Sequence, residues 1–245
     1  MKHLLLAASM IAATPALAFD ITNMTDAERE AFRSEMRDYL IEDPQVLAEA
    51  IDALQTWQME QAENEARAAL SARQDDLLND GYSHVGGNPD GDVTIVEFID
   101  YQCGWCKRAH EDVMATLEDD GNIRLVLKEF PQLGDASVEA ARIALAVQEI
   151  GGGEAYASFN DILMRAQGRL SEEALDAAIT EAGLDPAEIK ERAKSDEIAT
   201  RLNKNMDLAA ALGLQGTPQF VIGDQIFRGY IPQDRIEEAV ADARS

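Results

Sequence analysis

The hydrophobic pattern of the chain centres on Val93–Ile99, VTIVEFI, where every residue except Glu97 is apolar or β-branched. A run of this length and composition reads as a short strand buried on both faces. Ile123–Glu129, IRLVLKE, reads as a second buried strand, and the stretch Lys107–Leu117 between them reads as a helix. Strand, helix and strand make a βαβ unit with a right-handed crossover. Lys128, close to the end of the second strand, should either carry its ammonium out to water or lie near a site. From Ser137 to Leu212 the pattern turns helical, with helices expected at 137–149, 154–166, 172–182, 186–193 and 196–212. Gly151–Gly153, Gly183 and Gly213 punctuate them, and Asp185-Pro186 with Glu188 is a capping signal. The block is polar outside and rich in Ala, Leu and Ile inside, as in a helical subdomain inserted between two halves of a sheet. Gln219–Ile222, a Gly223-Asp224 turn and Gln225–Arg228 form a hairpin pattern, and Pro232–Ala243 closes as an amphipathic helix.

Upstream, Thr25 caps a helix whose apolar residues are Phe32, Met36, Tyr39 and Leu40. Asp43-Pro44 restarts the pattern as an N-cap and first helical residue. No Gly or Pro follows until beyond Leu78, so one long helix is expected. Val46, Leu47, Ala50, Ile51, Leu54 and Trp57 share one stripe on it, followed by a paler stripe of Ala62, Ala66, Ala69 and Leu70. An apolar stripe has to be covered, either by its own domain or by copies of itself. Gly81–Gly91, GYSHVGGNPDG, is a turn-rich hinge with a short strand near His84-Val85, and it marks a domain boundary. The expected organisation is a helical oligomerisation segment at 19–80 and a domain at 81–245 with its helical insertion at about 137–212.

Residues 1–18 stand outside that fold. Lys2 and His3 lead the apolar run Leu4–Ala13, and Ala16-Leu17-Ala18 is a cleavage signal, so a secretory peptide is expected with Phe19 as the first mature residue. No later run is apolar enough to insert into a membrane. The compartment implied is oxidising, most simply a bacterial periplasm. A net charge of −25 argues against nucleic acid and anionic lipid as partners.

Chemistry concentrates where the first strand hands over to its helix. The only two cysteines, in Cys103-Gly104-Trp105-Cys106, fall at that helix N-terminus. Unpaired N–H groups and the positive end of the helix dipole favour a thiolate there, which makes Cys103 the nucleophile. Cys106, one turn further in, can resolve a mixed disulfide by attacking the sulfur of Cys103. Lys107 and Arg108 add local positive charge. A structural disulfide over so short a loop would restrict the unfolded chain little. A zinc site would need more ligands than one cysteine pair supplies. His110 can complete a partial copper or zinc site, although on such a helix it more commonly faces solvent. The redox reading is preferred, with no metal site and no separate cofactor beyond a reversible Cys103–Cys106 disulfide.

Taken in order, these parts resemble the DsbA-like, thioredoxin-fold family of periplasmic disulfide oxidoreductases. The resemblance covers Ser83–Arg244 and rests on VEFIDYQCGWCK, on KEFPQLG at 128–134 and on GTPQFVIG at 216–223. RDYLIEDPQVLAEAI at 37–51 is similar to the N-terminal extension of the ScsC-like (suppressor of copper sensitivity) branch. The fold class implied is α/β, a thioredoxin fold with an inserted helical subdomain behind an N-terminal helical stalk. The resemblance implies a cis Thr217–Pro218 bond beside the cysteines and a substrate-docking role for Thr217 and Pro218. It implies that Glu97 handles the proton of Cys106 with Lys128 as its partner, and that Gly104 and Trp105 meet the substrate. Gly104-Trp105 stands where the best-known oxidases carry Pro-His, which leaves the redox potential open. Thr217 agrees with an isomerase, and isomerase is favoured over a monomeric oxidase or reductase and over a copper(I)-handling protein. The expected partners are protein substrates with thiols or disulfides, a membrane redox partner and other copies of the chain, a trimer being favoured.

Overall fold

The computed structural model describes residues 21–168 and 170–245; the expected secretory peptide lies outside them. The chain separates into two compact units, one ending at Gln58 and one running Met59–Ser245. In the first, α1 (Asp26–Glu42) starts at Thr25. The backbone N–H of Thr25 donates to Glu28 Oε2 at 2.8 Å and the Glu28 N–H returns to Thr25 Oγ1 at 3.4 Å, a reciprocal capping box. The second helix, α2 (Gln45–Ala72), begins in this unit and ends in the other. Along its first half Ile51, Leu54 and Trp57 are each more than half exposed.

The second unit is built on a five-stranded sheet. Its strands are β1 (His84–Gly87), β2 (Val93–Ile99), β3 (Ile123–Glu129), β4 (Gln219–Ile222) and β5 (Gln225–Arg228). They lie in the order β1-β3-β2-β4-β5, with β2 and β3 parallel and all other pairs antiparallel. The parallel pair is central, and it requires a crossover, which α4 (Gly104–Asp120) supplies. Between β3 and β4 stand α5 (Asp135–Arg165), α6 (Glu172–Glu181), α7 (Pro186–Ala193) and α8 (Asp196–Ala211); α9 (Gln233–Ala243) follows the hairpin. This is the thioredoxin fold with helical insertions.

Side chains alternate across each strand, so the sheet has two distinct apolar faces. Ile95, Ile99, Leu125, Leu127, Phe220 and Ile222 pack with α4, α5 and α9 in one cluster. Val96, Phe98, Val126 and Val221 pack in another with Leu70, Leu77, Leu208 and Leu212. The second face explains a departure from the expected uninterrupted helix. It breaks at Arg73, which leaves helical geometry at φ −112°, ψ 21°, and α3 (Gln74–Leu78) carries Leu77 onto the sheet. Residues from Met59 onward therefore belong to the unit that holds the sheet, with Leu70 and Leu77 packed in its second cluster, whereas the expected boundary falls after 80. Gly152, at φ +73°, a value open to glycine, leaves helical geometry inside α5, so α5 is two helices meeting at a kink, in keeping with those expected at 137–149 and 154–166.

Candidate active site

Cys103 is the N-cap of α4, with extended backbone at φ −78°, ψ 114°. A tight turn brings it there: the Cys103 N–H donates to the Asp100 carbonyl at 3.0 Å. The Asp100 carboxylate, 2% exposed, accepts four hydrogen bonds. They come from the N–H groups of Gln102 (2.8 Å), Gln132 (2.7 Å) and Leu133 (3.0 Å) and from the Ser137 hydroxyl (2.8 Å). One buried side chain thus fastens the Cys103 turn to the loop after β3 and to the start of α5. Sequence reasoning passed over Asp100; the one signal was an acid wedged between a buried strand and the cysteine motif.

Both cysteines are free thiols in this structure and both are buried. The Cys106 thiol beside it, the Thr217 side chain and the N–H groups of Cys106 and Trp105 at the first helical turn hold Cys103 down to about 5, against the opposing effect of burial. Cys106 is 0% exposed, and burial first, then the neighbouring Cys103, push its thiol far above the ordinary 9.0. One sulfur is therefore ionised at neutral pH while the other holds its proton. Glu97, 3% exposed on the same face of β2, is pushed up to about 8 by burial and then by the charge of Cys103. A carboxyl in that range can give or take the proton that Cys106 must exchange.

The Thr217–Pro218 peptide bond is cis. The Thr217 carbonyl oxygen lies 3.3 Å from Cys103 Sγ, so β2, α4 and the loop before β4 converge on this sulfur. Gly104 has open space where a Cβ would stand. Trp105 is 63% exposed and lies 5.3 Å, centroid to centroid, from the ring of Tyr230, whose hydroxyl donates to Asp112 Oδ2 at 2.7 Å.

Lys128 is placed otherwise than expected. It reaches neither water nor Glu97: at 0% exposure its ammonium donates to the Asp76 carbonyl at 2.7 Å and to Asp80 Oδ2 at 2.6 Å. The reason is strand parity. Lys128 pairs in register with Phe98 and Glu97 with Leu127, so the two side chains project from opposite faces of the sheet. His110 also departs from expectation. It is buried, and its Nε2 lies 2.9 Å from Asp161 Oδ1 instead of facing solvent. Among the described residues no group of three or more His, Cys, Asp or Glu is arranged to hold a metal ion.

A family model described as thioredoxin matches residues 79–242, and one described as the copper resistance protein ScsC N-terminal domain matches residues 28–61. The chain belongs to the thioredoxin family. Within it the chain is an ScsC-like member of the DsbA-like branch. A thioredoxin-like oxidoreductase from Silicibacter pomeroyi is 39% identical and superposes with a TM-score of 0.66, covering 69% of this chain and 96% of its own. Proteus mirabilis ScsC, as a linker-deletion mutant, is 26% identical with a TM-score of 0.67 and covers 92% of this chain and 99% of its own. Disulfide bond formation protein D of Bacillus subtilis is 26% identical over 64% of this chain and 74% of its own length. The chain spans only 24%, 28% and 23% of the length of three Na(+)/H(+) antiporters that carry a matching segment. No described helix of the present chain is long and apolar enough to cross a membrane.

Proposed function

We propose that this thioredoxin-family chain is a periplasmic thiol:disulfide oxidoreductase that acts on protein substrates as a disulfide isomerase. The observation that carries the reading is Cys103 at a helix N-terminus, its Sγ 3.3 Å from the Thr217 carbonyl of a cis-proline loop and its thiol held down to about 5. The Cys103 thiolate attacks a substrate disulfide sulfur, one substrate sulfur leaves as thiolate, and a mixed disulfide forms. Either a substrate thiolate then displaces Cys103, which rearranges the substrate, or Cys106 gives its proton to Glu97 and attacks Cys103 Sγ, which releases the substrate reduced. Thr217 and Pro218 present backbone to the incoming strand, and Gly104 and Trp105 form the surface beside the sulfur. A membrane redox partner resets the Cys103–Cys106 pair.

The isomerase reading is supported by the exposed stripe of Leu47, Ile51, Leu54 and Trp57, a surface suited to burial between copies of the chain. A trimer would set several thiolates around one misfolded substrate. The test is reshuffling of a scrambled disulfide protein by the full chain and by a form starting at Met59, which keeps the residues that fold with the sheet. Equal isomerisation by both forms overturns the oligomeric isomerase. A second reading is copper(I) handling by the same two sulfurs, supported by the family name of the N-terminal match. Tight copper(I) binding abolished in Cys103→Ser, with no turnover of any disulfide substrate, would favour it.

A further inference from the structure

Glu129, the last residue of β3, is a second buried acid near the nucleophile turn, and the chemistry above does not use it. It is 1% exposed. Its Oε1 accepts hydrogen bonds from the hydroxyls of Tyr101 (2.9 Å) and Tyr156 (2.6 Å). Asn160 donates in turn to the Tyr101 oxygen at 3.3 Å, and Asn205 donates to the Glu129 backbone carbonyl at 3.2 Å. Glu129 Oε2 is buried and has no hydrogen-bond partner among the described residues. Tyr101 stands two residues before Cys103 and shares its core cluster, while Tyr156 and Asn160 come from the second half of α5. The carboxyl thus ties the turn carrying the nucleophile to the inserted helices.

Stability alone does not account for this arrangement. Phenylalanine at 101 and 156 around an apolar residue at 129 would fill the same space without a desolvated acid. A buried polar atom left unpaired calls for a specific explanation. Nor, among the described residues, is there a cation placed to neutralise an ionised form. Lys128, the neighbour in sequence, faces the other side of the sheet. The charged or titratable groups around the carboxyl are Asp100 at the adjoining end of β2, the two phenols, and His84, stacked on Tyr156 with centroids 4.6 Å apart. An anion with one bare oxygen in that setting costs far more than a neutral acid with one unused O–H.

We propose that Glu129 is a positioning residue for the nucleophile: in its protonated form it holds the Tyr101–Cys103 turn against α5, and its ionisation releases that turn. The inference rests on Cys103 being the nucleophile. Burial pushes the Glu129 carboxyl up to about 8, and both phenols are raised well above 10, so the cluster is neutral at pH 7.

The test is iodoacetamide alkylation of Cys103 in the reduced full-length chain against pH, in a Glu97→Gln background so that Glu129 is the buried acid left to titrate near 8. With Glu129 intact the rate reaches a plateau above the thiolate transition and falls beyond pH 8. Glu129→Gln keeps the neutral hydrogen bonds, matches the rate at pH 7 and abolishes the fall. Glu129→Leu and Tyr101→Phe slow alkylation on the order of tenfold at pH 7, with melting confirming a folded protein. If Glu129→Leu does not fold, Glu129→Gln and Tyr101→Phe decide. Superimposable profiles for Glu129 and Glu129→Gln, or an unaltered rate in Tyr101→Phe, overturn the inference. A Cys103 no faster than an ordinary free thiol in the unaltered chain overturns the proposed function instead.

Discussion

At the scale of single residues, two thiols three positions apart are driven in opposite directions by what surrounds them. Cys103 ends on a helix N-terminus and Cys106 sits inside the core, so the two thiols are distinguished by solvation and backbone dipoles. In the proposed mechanism Glu97 takes the proton that Cys106 must lose. Glu97→Gln should slow the intramolecular step roughly 10²-fold and let the mixed disulfide accumulate, which non-reducing gels of quenched reactions would reveal; an unchanged lifetime would remove Glu97 from the mechanism. Asp100→Ala strips a common acceptor from four donors and should cost roughly 3 kcal/mol in denaturant unfolding, with slower alkylation of Cys103. The depressed Cys103 thiol also has a linkage consequence. Its folded value, about 5, lies below the unfolded 9.0, so the reduced fold gains stability as pH rises through that window and loses it as pH falls to 5. Melting of reduced protein from pH 5 to pH 9 should show this gain relative to Cys103→Ser, and parallel curves would contradict the assigned thiolate.

At the scale of elements, the alternation of the central strands decides which buried charges can serve the cysteines. Glu97 and Lys128 lie on neighbouring strands, yet one faces α4 and the other faces α3. Lys128→Met should therefore destabilise by about 3–5 kcal/mol, because Asp80, its side chain 7% exposed, loses its counter-charge and keeps only the Tyr82 and Ser83 donors, while the alkylation rate of Cys103 stays unchanged. Restoring much of the loss with Asp80→Asn would confirm the pair, and a slowed Cys103 would show coupling through the sheet. Glycine has a comparable effect in α5: a positive φ at Gly152 bends the helix and brings Tyr156 and Asn160 back over Glu129.

At the scale of the whole molecule, the polar core and the exposed N-terminal stripe set separate requirements. The sheet, its covering helices and residues from Met59 onward contain every group of the redox site. Reduction of a simple disulfide should survive in a chain starting at Met59, while reshuffling of a scrambled protein should fall at least several-fold if the stripe gathers copies. Light scattering on both forms checks the association directly. A monomer for the full chain would sink the oligomeric isomerase and leave the oxidoreductase standing.

The sequence by itself determined the order of elements, because burial of strands, helical spacing and turn residues are local properties. Val93–Ile99, Ile123–Glu129 and the hairpin at 219–228 were legible in this way. So was the adjacency of both cysteines to a helix N-terminus. Tertiary structure alone decided which distant groups meet. It turned Lys128 away from Glu97, broke the long helix at Arg73 to seat Leu77, and gathered Tyr101, Tyr156 and Asn160 around Glu129. The physical reason is that periodicity tells how each segment is half buried, whereas pairing register and strand parity tell what it is buried against.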